Sequence, residues 1–519
     1  MAEPGTADLS AQVDELIGAT IDSLERAGHD AGDGLVGQLV TTRARLHAPL
    51  RVAIAGRVKA GKSTLLNALV GEQLAPTDAG ECTRIVTWYQ HGPTYRVSLD
   101  LVDGTTRPAR FSRPSGALDV DLDGLAPEAI RRIVVEWPSP RLTDLSLVDT
   151  PGVASLDTSV SDRAVAFLTT DADRPVEVDA VLYLMRHLHA GDLSFLESFH
   201  DDLTNASPIN AIGLLSRADE IGVGRTNAMA VAARIAGRYR ADPRLRRLCQ
   251  TVLAVNGLTA ETAATLTQEE YDGLRQLADL GPGALDRLLL SVDRFQAERP
   301  GDGQPPCPVS ALTRTHLLQR LGLFGIRVSI PLVRLGQVTS AIELAEVLAE
   351  RSGIVDLRHE LLNRFTERSD VLRARPALRA VARVADAAPV DVGAELHQEI
   401  ERIRAGAHTF AELRLLDEHH RSPLTFPDDA DGEAGTELER LLGLDGTTAA
   451  ARLGVAPEAV DEHLRSVALA TIDRWRRRGE HPLAPPNLAA AAAVLIRTCE
   501  GILAGLDPVD VGRPAQRSA

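Results

Sequence analysis

A glycine-rich loop near the start of the chain constrains its fold more than any other feature of the sequence. Residues 56–63 read GRVKAGKS and fit the pattern G-x-x-x-x-G-K-[ST]. Residues 51–55 form an apolar run typical of a short buried strand, and residues 63–69 predict a helix. Strand, glycine loop and helix in this order are typical of a P-loop, whose backbone amides hold phosphate groups. The sequence therefore predicts a phosphate-binding α/β domain.

Both lysines of the chain lie in this loop. The sequence has 56 basic residues, and all except Lys59 and Lys62 are arginines. An ammonium is a compact point charge on a flexible stem, whereas a guanidinium is a broad planar fork. We predict that Lys62 contacts the β- and γ-phosphates, while the plain P-loop pattern gives Lys59 no role. The predicted nucleotide-binding residues of the loop are Gly56, Lys59, Ala60, Gly61, Lys62, Ser63 and Thr64.

Length and charge restrict the class of protein. The chain of 519 residues is long enough for several domains, and its net charge of −16 argues against nucleic-acid binding and broad adhesion to an anionic membrane. The N-terminus does not resemble a signal peptide, and the apolar stretches 321–335 and 488–496 are too charged or too short to span a bilayer. We expect a cytoplasmic protein whose membrane contact, if any, is peripheral at the inner face of the cell membrane.

Apolar segments alternate with helical patterns through the first part of the chain, which predicts a mainly parallel sheet with helices on both faces. The strands predicted after the P-loop are 94–102, 132–137, 145–148, 181–185, 212–215 and 252–255. Later residues are helical in pattern, and we expect the N-terminal helices to dock on this C-terminal bundle. The predicted domains are N-terminal helices 1–48, a P-loop α/β domain 49–337, a helical neck and trunk 338–506, and a disordered tail 507–519.

Two elements after the P-loop offer candidate magnesium ligands. Thr83 lies in a loop that resembles the first switch of a GTPase, although a threonine in a loop is a weak signal. The run DTPG at 149–152 follows an apolar strand, where Asp149 can hold Mg²⁺ through water and the Gly152 amide can approach the γ-phosphate closely. An Asx turn is the alternative interpretation of this run. We predict magnesium ligands at Ser63, Thr83 and Asp149, and catalytic roles for Lys59, Lys62, Thr83 and Gly152.

Two later elements indicate a guanine-binding site. The run SRAD at 216–219 follows an apolar strand and departs from the usual pattern [NT]-K-x-D by its serine and its arginine. Asp219 can accept two hydrogen bonds from the N1–H and N2–H₂ edge of guanine, and Arg217 would lay its stem along the base. Asn256 and Gly257 follow the last strand and would contact the base by backbone amides, or form an ordinary turn.

Taken in order, these elements resemble the GTPase domain of the dynamin superfamily. More narrowly, the chain is similar to the actinobacterial isoniazid-inducible dynamin-like GTPases over about residues 8 to 505. Helices flank the GTPase elements at both ends, and Val153 stands where some GTPases carry a glutamine that positions water. The stretches that carry the resemblance are 59–69, 75–78, 83–88, 216–222 and 290–295.

The resemblance implies a GTPase that uses Mg²⁺, binds GTP and GDP, self-associates through its GTPase domain, and remodels or maintains membrane at the cell envelope under drug or envelope stress. It also gives Lys59 an interpretation. Several GTPases of this kind place a Ser or Asn at this loop position, where it holds a catalytic monovalent cation. A lysine there carries its own charge, so we predict hydrolysis that requires neither K⁺ nor Na⁺. The alternative is that Lys59 points to solvent.

Two other functions stay open at this stage. One is a partner or scaffolding GTPase subunit that acts with a larger, membrane-binding dynamin-like paralogue. The other is a regulatory switch GTPase without membrane activity. The long helical region after the GTPase domain favours the mechanochemical interpretation over a ribosome-associated switch, which usually carries a basic RNA-binding module.

Overall fold

A computed structural model gives two compact units, one of Pro49–Thr366 and one of Met1–Ala48 together with Glu367–Ala519. The residues that the structure describes are 7–26, 34–76, 85–113, 116–151, 178–200, 210–221, 224–297, 307–366, 368–388, 390–426 and 433–506.

The larger unit contains a nine-stranded sheet with the order β11-β10-β9-β1-β8-β2-β7-β3-β4. A separate two-stranded sheet pairs β5 with β6. The strands are β1 Leu50–Gly56, β2 Thr87–His91, β3 Arg96–Leu101, β4 Thr106–Pro108, β5 Phe111–Ser112, β6 Asp119–Val120, β7 Ile130–Trp137, β8 Leu145–Asp149, β9 Ala180–Met185, β10 Ala211–Leu215 and β11 Val252–Ala254.

The pairing confirms the predicted mainly parallel sheet. Strand β1 lies between β8 and β9 and is parallel to both, and β9, β10 and β11 continue in parallel. Antiparallel pairs join β2 to β8 and β3 to its two neighbours. Every residue of β9 and β10 is buried, as expected for central parallel strands covered on both faces. The carboxyl ends of β1, β8, β9, β10 and β11 therefore share one edge, where α/β domains bind ligands.

Helices of the larger unit connect the strands and extend beyond the sheet. They are α3 Lys62–Val70, α4 Ala190–His200, α5 Ala228–Ala241, α6 Pro243–Arg246, α7 Gly257–Thr265, α8 Gln268–Ala278, α9 Pro282–Leu288, α10 Val292–Gln296, α11 Ala311–Arg334, α12 Ala341–Ser352 and α13 Ile354–Glu360, followed by a π-helical turn Leu361–Thr366.

The end of this unit differs from the predicted boundary at residue 337. Helices α12 and α13, which the sequence pattern assigned to the neck, belong to the unit that contains the sheet. The Asn256 N–H donates to the Ser352 carbonyl at 2.8 Å, and Arg358 Nη2 donates to the Ala68 carbonyl at 2.7 Å. Periodicity predicts that such a segment is helical, but it does not indicate which surface the helix packs against.

The regular secondary structure of the smaller unit is helical in the residues that the structure describes, and turns connect its helices. Helices α1 and α2, from the N-terminal part of the chain, pack against α14. A buried carboxylate, Glu412, accepts hydrogen bonds from Arg452 at 2.9 Å and from Thr498 at 2.7 Å, and so links three helices. The helices are α1 Ala7–Arg26, α2 Gly34–Leu46, α14 Ser369–Ala387, α15 Val390–Gly406, α16 His408–Arg421, α17 Glu433–Leu441, α18 Ala449–Leu453, α19 Asp461–Gly479 and α20 Pro486–Gly505.

Helix α20 extends well beyond the apolar stretch 488–496 that the sequence analysis judged too short to span a bilayer. Among the described helices it is the one long and apolar enough, by length and composition, to cross a membrane, which differs from the expectation that no segment is. Of its most apolar stretch, 39% is buried in the unit, and core helices are often buried in this way. One face, including Leu488, Leu495 and Cys499, is buried, and Thr498 on this helix bonds Glu412.

Candidate functional site

The P-loop connects β1 to α3 at the ligand-binding edge of the sheet. Gly56 has φ +147°, and a Cβ there would lie 2.5 Å from the Leu184 carbonyl oxygen of β9, so only glycine fits. Gly61 has φ +93° and directly precedes α3 without a side-chain cap. The first amides of α3 therefore face the loop, which is the arrangement that binds anions at helix N-termini.

The two lysines of the loop have different surroundings. Lys62 Nζ donates to the Gly56 carbonyl at 3.3 Å, and burial lowers the pKa of this ammonium, while the nearby Asp149 acts in the opposite direction. A buried ammonium of this kind gains strongly from an anionic phosphate. Lys59 is exposed and has φ +64°, so the loop holds it in the left-handed region. Its predicted contact with phosphate stays a prediction.

Ser63 and Asp149 meet where a divalent cation is expected. Ser63 Oγ donates to Asp149 Oδ2 at 3.0 Å. Asp149 Oδ1 is buried and has no hydrogen-bond partner among the described residues. Burial raises the pKa of this carboxyl, while Lys62 and the Ser63 hydroxyl act in the opposite direction. A hydroxyl beside a carboxylate that has one oxygen without a hydrogen-bond partner fits Mg²⁺, which needs few protein ligands when phosphates and water complete its shell. The predicted residues Thr83 and Gly152 lie outside the described part of the chain.

A cleft of about 610 Å³, partly open to solvent, extends from the P-loop to the ends of β10 and β11. It brings the phosphate-binding loop together with the predicted base-binding residues, although these are far apart in the sequence. The lining residues include Ala60, Gly61, Thr64, Ser216, Arg217, Asp219, Glu220, Gly257 and Leu258.

The SRAD run forms the base end of this cleft. Burial raises the pKa of Asp219, which lies in a short 3₁₀ turn. Arg217 has φ +51°, and its Nη1 donates to Glu220 Oε1 at 2.7 Å. Arg186 also donates to Glu220. This ion pair fixes the stem of Arg217 beside the cleft; the sequence analysis missed the roles of Glu220 and Arg186, which no local motif signals.

Ser216 is held by the sheet. Its N–H donates to the Met185 carbonyl at 2.8 Å, and its hydroxyl donates to the same oxygen at 3.3 Å. The serine thus fastens the start of the base-binding run to β9. The serine that departs from the usual pattern thus bonds to β9 and not to the P-loop.

Asn256 and Gly257 differ in what they can offer a base. Asn256 is buried, and its side chain caps α7 by accepting from Thr259 N at 3.2 Å. Its own N–H donates to Ser352, so the amide predicted to contact the base has another partner. Gly257 lines the cleft, and a Cβ there would lie 3.6 Å from Thr64 Cγ2. Gly257 therefore lines the cleft and Asn256 does not, and contact of Gly257 with a base stays a prediction.

Asn67 is a further residue that the sequence analysis did not single out. It is buried on α3, its Oδ1 accepts from the Leu74 and Ala75 N–H groups at 2.9 and 2.7 Å, and its Nδ2 donates to Glu261 Oε1 at 3.0 Å. These bonds join the P-loop helix to α7 and to the segment before the predicted first switch. A polar residue inside an apolar helical run is the one signal that could have indicated it.

The fold and this site define a class. A P-loop at the carboxyl edge of a mainly parallel sheet, a Ser–Asp pair suited to Mg²⁺ and an aspartate at the base end of the cleft are the features of a P-loop GTPase. A protein-family sequence model, described as the Dynamin family, matches residues 52–200.

The chain belongs to the dynamin family, together with the isoniazid-induced protein IniC of Mycobacterium tuberculosis. The two are 42% identical over 469 residues, which cover 90% of this chain and 92% of the relative. A bacterial dynamin-like protein of Nostoc punctiforme is 30% identical over 115 residues, covering 20% of this chain and 16% of the relative. The isoniazid-induced protein IniA of Mycobacterium tuberculosis is 29% identical over 262 residues, covering 47% and 36%. The protein is therefore a dynamin-like GTPase.

Proposed function

We propose that this GTPase hydrolyses Mg²⁺-bound GTP to GDP and phosphate, and that the cycle drives self-association of GTPase domains and membrane remodelling or maintenance at the cell envelope. The observation that carries the catalytic part is the convergence of the P-loop, Asp149 and Asp219 along one edge of the sheet. Membership in the dynamin family supports the membrane part, with an expected location at the inner face of the cell membrane.

The chain binds the phosphates through the P-loop. The amides before and at the start of α3 donate to phosphate oxygens, and the Lys62 ammonium neutralises part of their charge. Burial lowers the pKa of Lys62, and an anion at this position would raise it, because a nearby negative charge favours the charged form of the ammonium. Gly56 and Gly61 permit the backbone to approach the phosphates closely.

Ser63 and Asp149 are the described residues that would hold Mg²⁺. The bound ion supplies a positive charge that stabilises the negative charge developing on the transferred phosphoryl group. The Asp149 carboxylate would face that charge, and Ser63 would keep the carboxylate oriented through its hydroxyl. Thr83 and Gly152, from the sequence analysis, are proposed to act on the γ-phosphate side.

Lys59 is proposed to replace the monovalent cation that related enzymes recruit. Its position at the exposed side of the P-loop lets the ammonium reach phosphate from solvent when GTP is bound. Lys59→Ala should slow turnover by about 10- to 100-fold, an oxyanion-type loss, and leave GTP affinity within about threefold. Lys59→Ser should turn over faster in K⁺ than in buffer without monovalent metal, while the unaltered protein should not distinguish the two. Unchanged turnover in Lys59→Ala, or K⁺-dependent turnover of the unaltered protein, contradicts the assignment.

Phosphate release from GTP tests the catalytic proposal. The protein should release phosphate from GTP, not ATP, and only with Mg²⁺ present. Lys62→Ala should weaken binding of a fluorescent GTP analogue by at least about 100-fold, because it removes a charged contact to the phosphates. Arg57→Ala, an exposed change in the same loop, serves as the matched control. Equal binding by Lys62→Ala and the control would refute the site.

Sedimentation with liposomes tests the membrane proposal and its alternative. Liposomes that contain anionic and neutral lipids are mixed with the protein and GDP or a non-hydrolysable GTP analogue. Co-sedimentation that depends on the GTP analogue supports a membrane-acting GTPase. If the protein stays in the supernatant but is retained by an immobilised larger dynamin-like paralogue, it is instead a partner subunit. Absence of both indicates a regulatory switch and contradicts the membrane proposal.

A further inference from the structure

Helix α11 contains a sharp break at Gly322. This residue has φ +63° and ψ +177°, while helical residues continue on both sides. That combination of angles is accessible essentially to glycine alone. The break is therefore built into the sequence by one residue, and it divides α11 into two segments that run to different neighbours.

The first segment is attached to α7, the helix that follows the base-binding loop. Arg320 Nη2 donates to Thr265 Oγ1 at 2.6 Å, and the Thr262 hydroxyl donates to the Arg320 carbonyl. Arg320 Nε also reaches the buried Glu270 at 2.7 Å. Because α7 begins at Gly257, these bonds fix the position of one side of the base cleft.

The second segment is attached to the other side of the cleft, just beyond Asp219. Arg327 Nη1 donates to the Gly224 carbonyl at 2.9 Å. A Cβ at Gly224 would lie 3.3 Å from both Leu323 Cβ and Phe324 N, so the backbone packs tightly against α11 at this point. Gly224, five residues after Asp219, is thus held against the second segment of α11.

Gly322 itself lies against the carboxylate that reads the base. A Cβ built on Gly322 would be 3.7 Å from Asp219 Oδ2 and 3.5 Å from Leu258 Cδ2. Both Asp219 and Leu258 line the base cleft. The second segment of α11 starts directly after Gly322, so the carboxylate also lies at the positively polarised end of a helix, which favours its ionised form.

We propose that Gly322 is a specificity-determining position, whose break in α11 sets the distance between α7 and the Asp219 loop and so directs the carboxylate at the 2-amino group of guanine. This inference rests on the proposed GTP site. Gly322 does not contact the base itself. It acts through Asp219 and is therefore a positioning residue. A side chain at this position forces φ out of the left-handed region, which shifts one segment of α11 against the other and turns Asp219 away from the base.

Comparison of GTP with ITP isolates this effect, because hypoxanthine lacks the 2-amino group and keeps the N1–H. The dissociation constants of GTP and ITP are measured by displacement of a fluorescent GDP analogue from the full chain with Mg²⁺. The unaltered protein should prefer GTP by about 10- to 100-fold, the range for a hydrogen bond to a charged group. In Gly322→Ala this preference should fall to within about threefold of unity. In the Asp219→Ala background, Gly322→Ala should cause no further loss of preference.

Two variants separate positioning from general damage to the fold. Gly336→Ala is the matched control, because Gly336 has φ +66°, lies just beyond the same helix and would place its Cβ in open space; it should keep the preference of the unaltered protein. Arg327→Met removes the bond to Gly224, together with a second bond from Arg327 Nη2 to the Leu289 carbonyl at 2.7 Å, without changing the backbone requirement, and should lower the preference at least threefold. If Gly322→Ala does not fold, Arg327→Met decides the test.

The outcomes distinguish this inference from the proposed function. If the unaltered protein does not prefer GTP over ATP, the proposed function fails. If it prefers GTP over ITP, but folded Gly322→Ala and Arg327→Met both keep that preference, the inference about Gly322 fails while the proposed function stands.

Discussion

Replacement of Asn67 by alanine is the most informative test of how the P-loop helix is held. The side chain makes four hydrogen bonds inside the protein, two as acceptor from the Leu74 and Ala75 N–H groups and two as donor, to the Ala75 carbonyl and to Glu261. Asn67 is 1% exposed, so water cannot replace these bonds without a rearrangement.

The structure sets the expected magnitude. Alanine leaves two buried backbone N–H groups without an acceptor, and each such group costs about 1–3 kcal/mol. Glu261 also loses a donor, and burial already raises the pKa of that carboxyl. We therefore expect Asn67→Ala to lower the free energy of unfolding by about 3–5 kcal/mol, a large part of the 5–15 kcal/mol typical of a domain.

Urea unfolding followed by tryptophan fluorescence measures this change. The chain has three tryptophans, and a Trp475→Phe background leaves Trp88 and Trp137, which both lie in the unit of the sheet. Asn227→Ala is the control, because Asn227 is exposed and its side chain makes no capping bond; it should stay within about 0.5 kcal/mol of the background. If Asn67→Ala lowers the free energy of unfolding by less than about 1 kcal/mol, the Leu74 and Ala75 N–H groups do not depend on this side chain.

Three further predictions follow from single residues. Gly56→Ala should abolish nucleotide binding and sharply lower the yield of folded protein, since its Cβ would lie 2.5 Å from the Leu184 carbonyl oxygen. Gly104→Ala, where a Cβ meets open space, should keep both. Nucleotide-binding assays and expression yields measure the two effects. Burial raises the pKa of Asp417 to about 6, above its unfolded value of about 3.9, so stability should fall as pH rises from about 4 to 6. Asp417→Asn should remove this fall, by at most about 3 kcal/mol in urea titrations across that range. Glu412 is buried, but Arg452 and neighbouring hydrogen bonds hold the pKa of this carboxyl at about 2. Glu412→Gln should therefore lower the free energy of unfolding by about 3–5 kcal/mol, measured in urea at pH 7, because it leaves Arg452 buried without its counter-charge. A loss below about 1 kcal/mol would contradict that ion pair.

The sequence could predict the elements that are encoded locally. The P-loop, its strand and its helix follow from eight residues and their apolar neighbours, and the fully buried strands β9 and β10 follow from continuous apolar runs. Asp219 could be found despite two departures from the usual motif, because its place after a buried strand is itself a signal. The alternation of strands and helices was enough for the class of fold.

The parts that could not be predicted depend on contacts between distant residues. Asn67 and Glu261 are 194 residues apart, and no local pattern links them. The sequence leaves the backbone amide of Asn256 available for a base, whereas in the structure this amide donates to the Ser352 carbonyl. The sequence around Gly322 is typical of a helix that contains an ordinary glycine. Only the backbone angles of Gly322 and its distance from Asp219 show that this position requires glycine. The compact unit that contains the sheet ends at Thr366 and not at the predicted residue 337 for the same reason.

Exchange of the base tests directly whether Asp219 selects guanine. Asparagine at position 219 would present one donor and one acceptor, which match the 2-oxo and N1–H groups of xanthine in place of the two donors of guanine. The unaltered protein should release phosphate from GTP and not from XTP, and Asp219→Asn should reverse this order. If Asp219→Asn keeps its turnover of GTP and gains none with XTP, Asp219 does not read the base, and the cleft between the P-loop and β11 is not the guanine site.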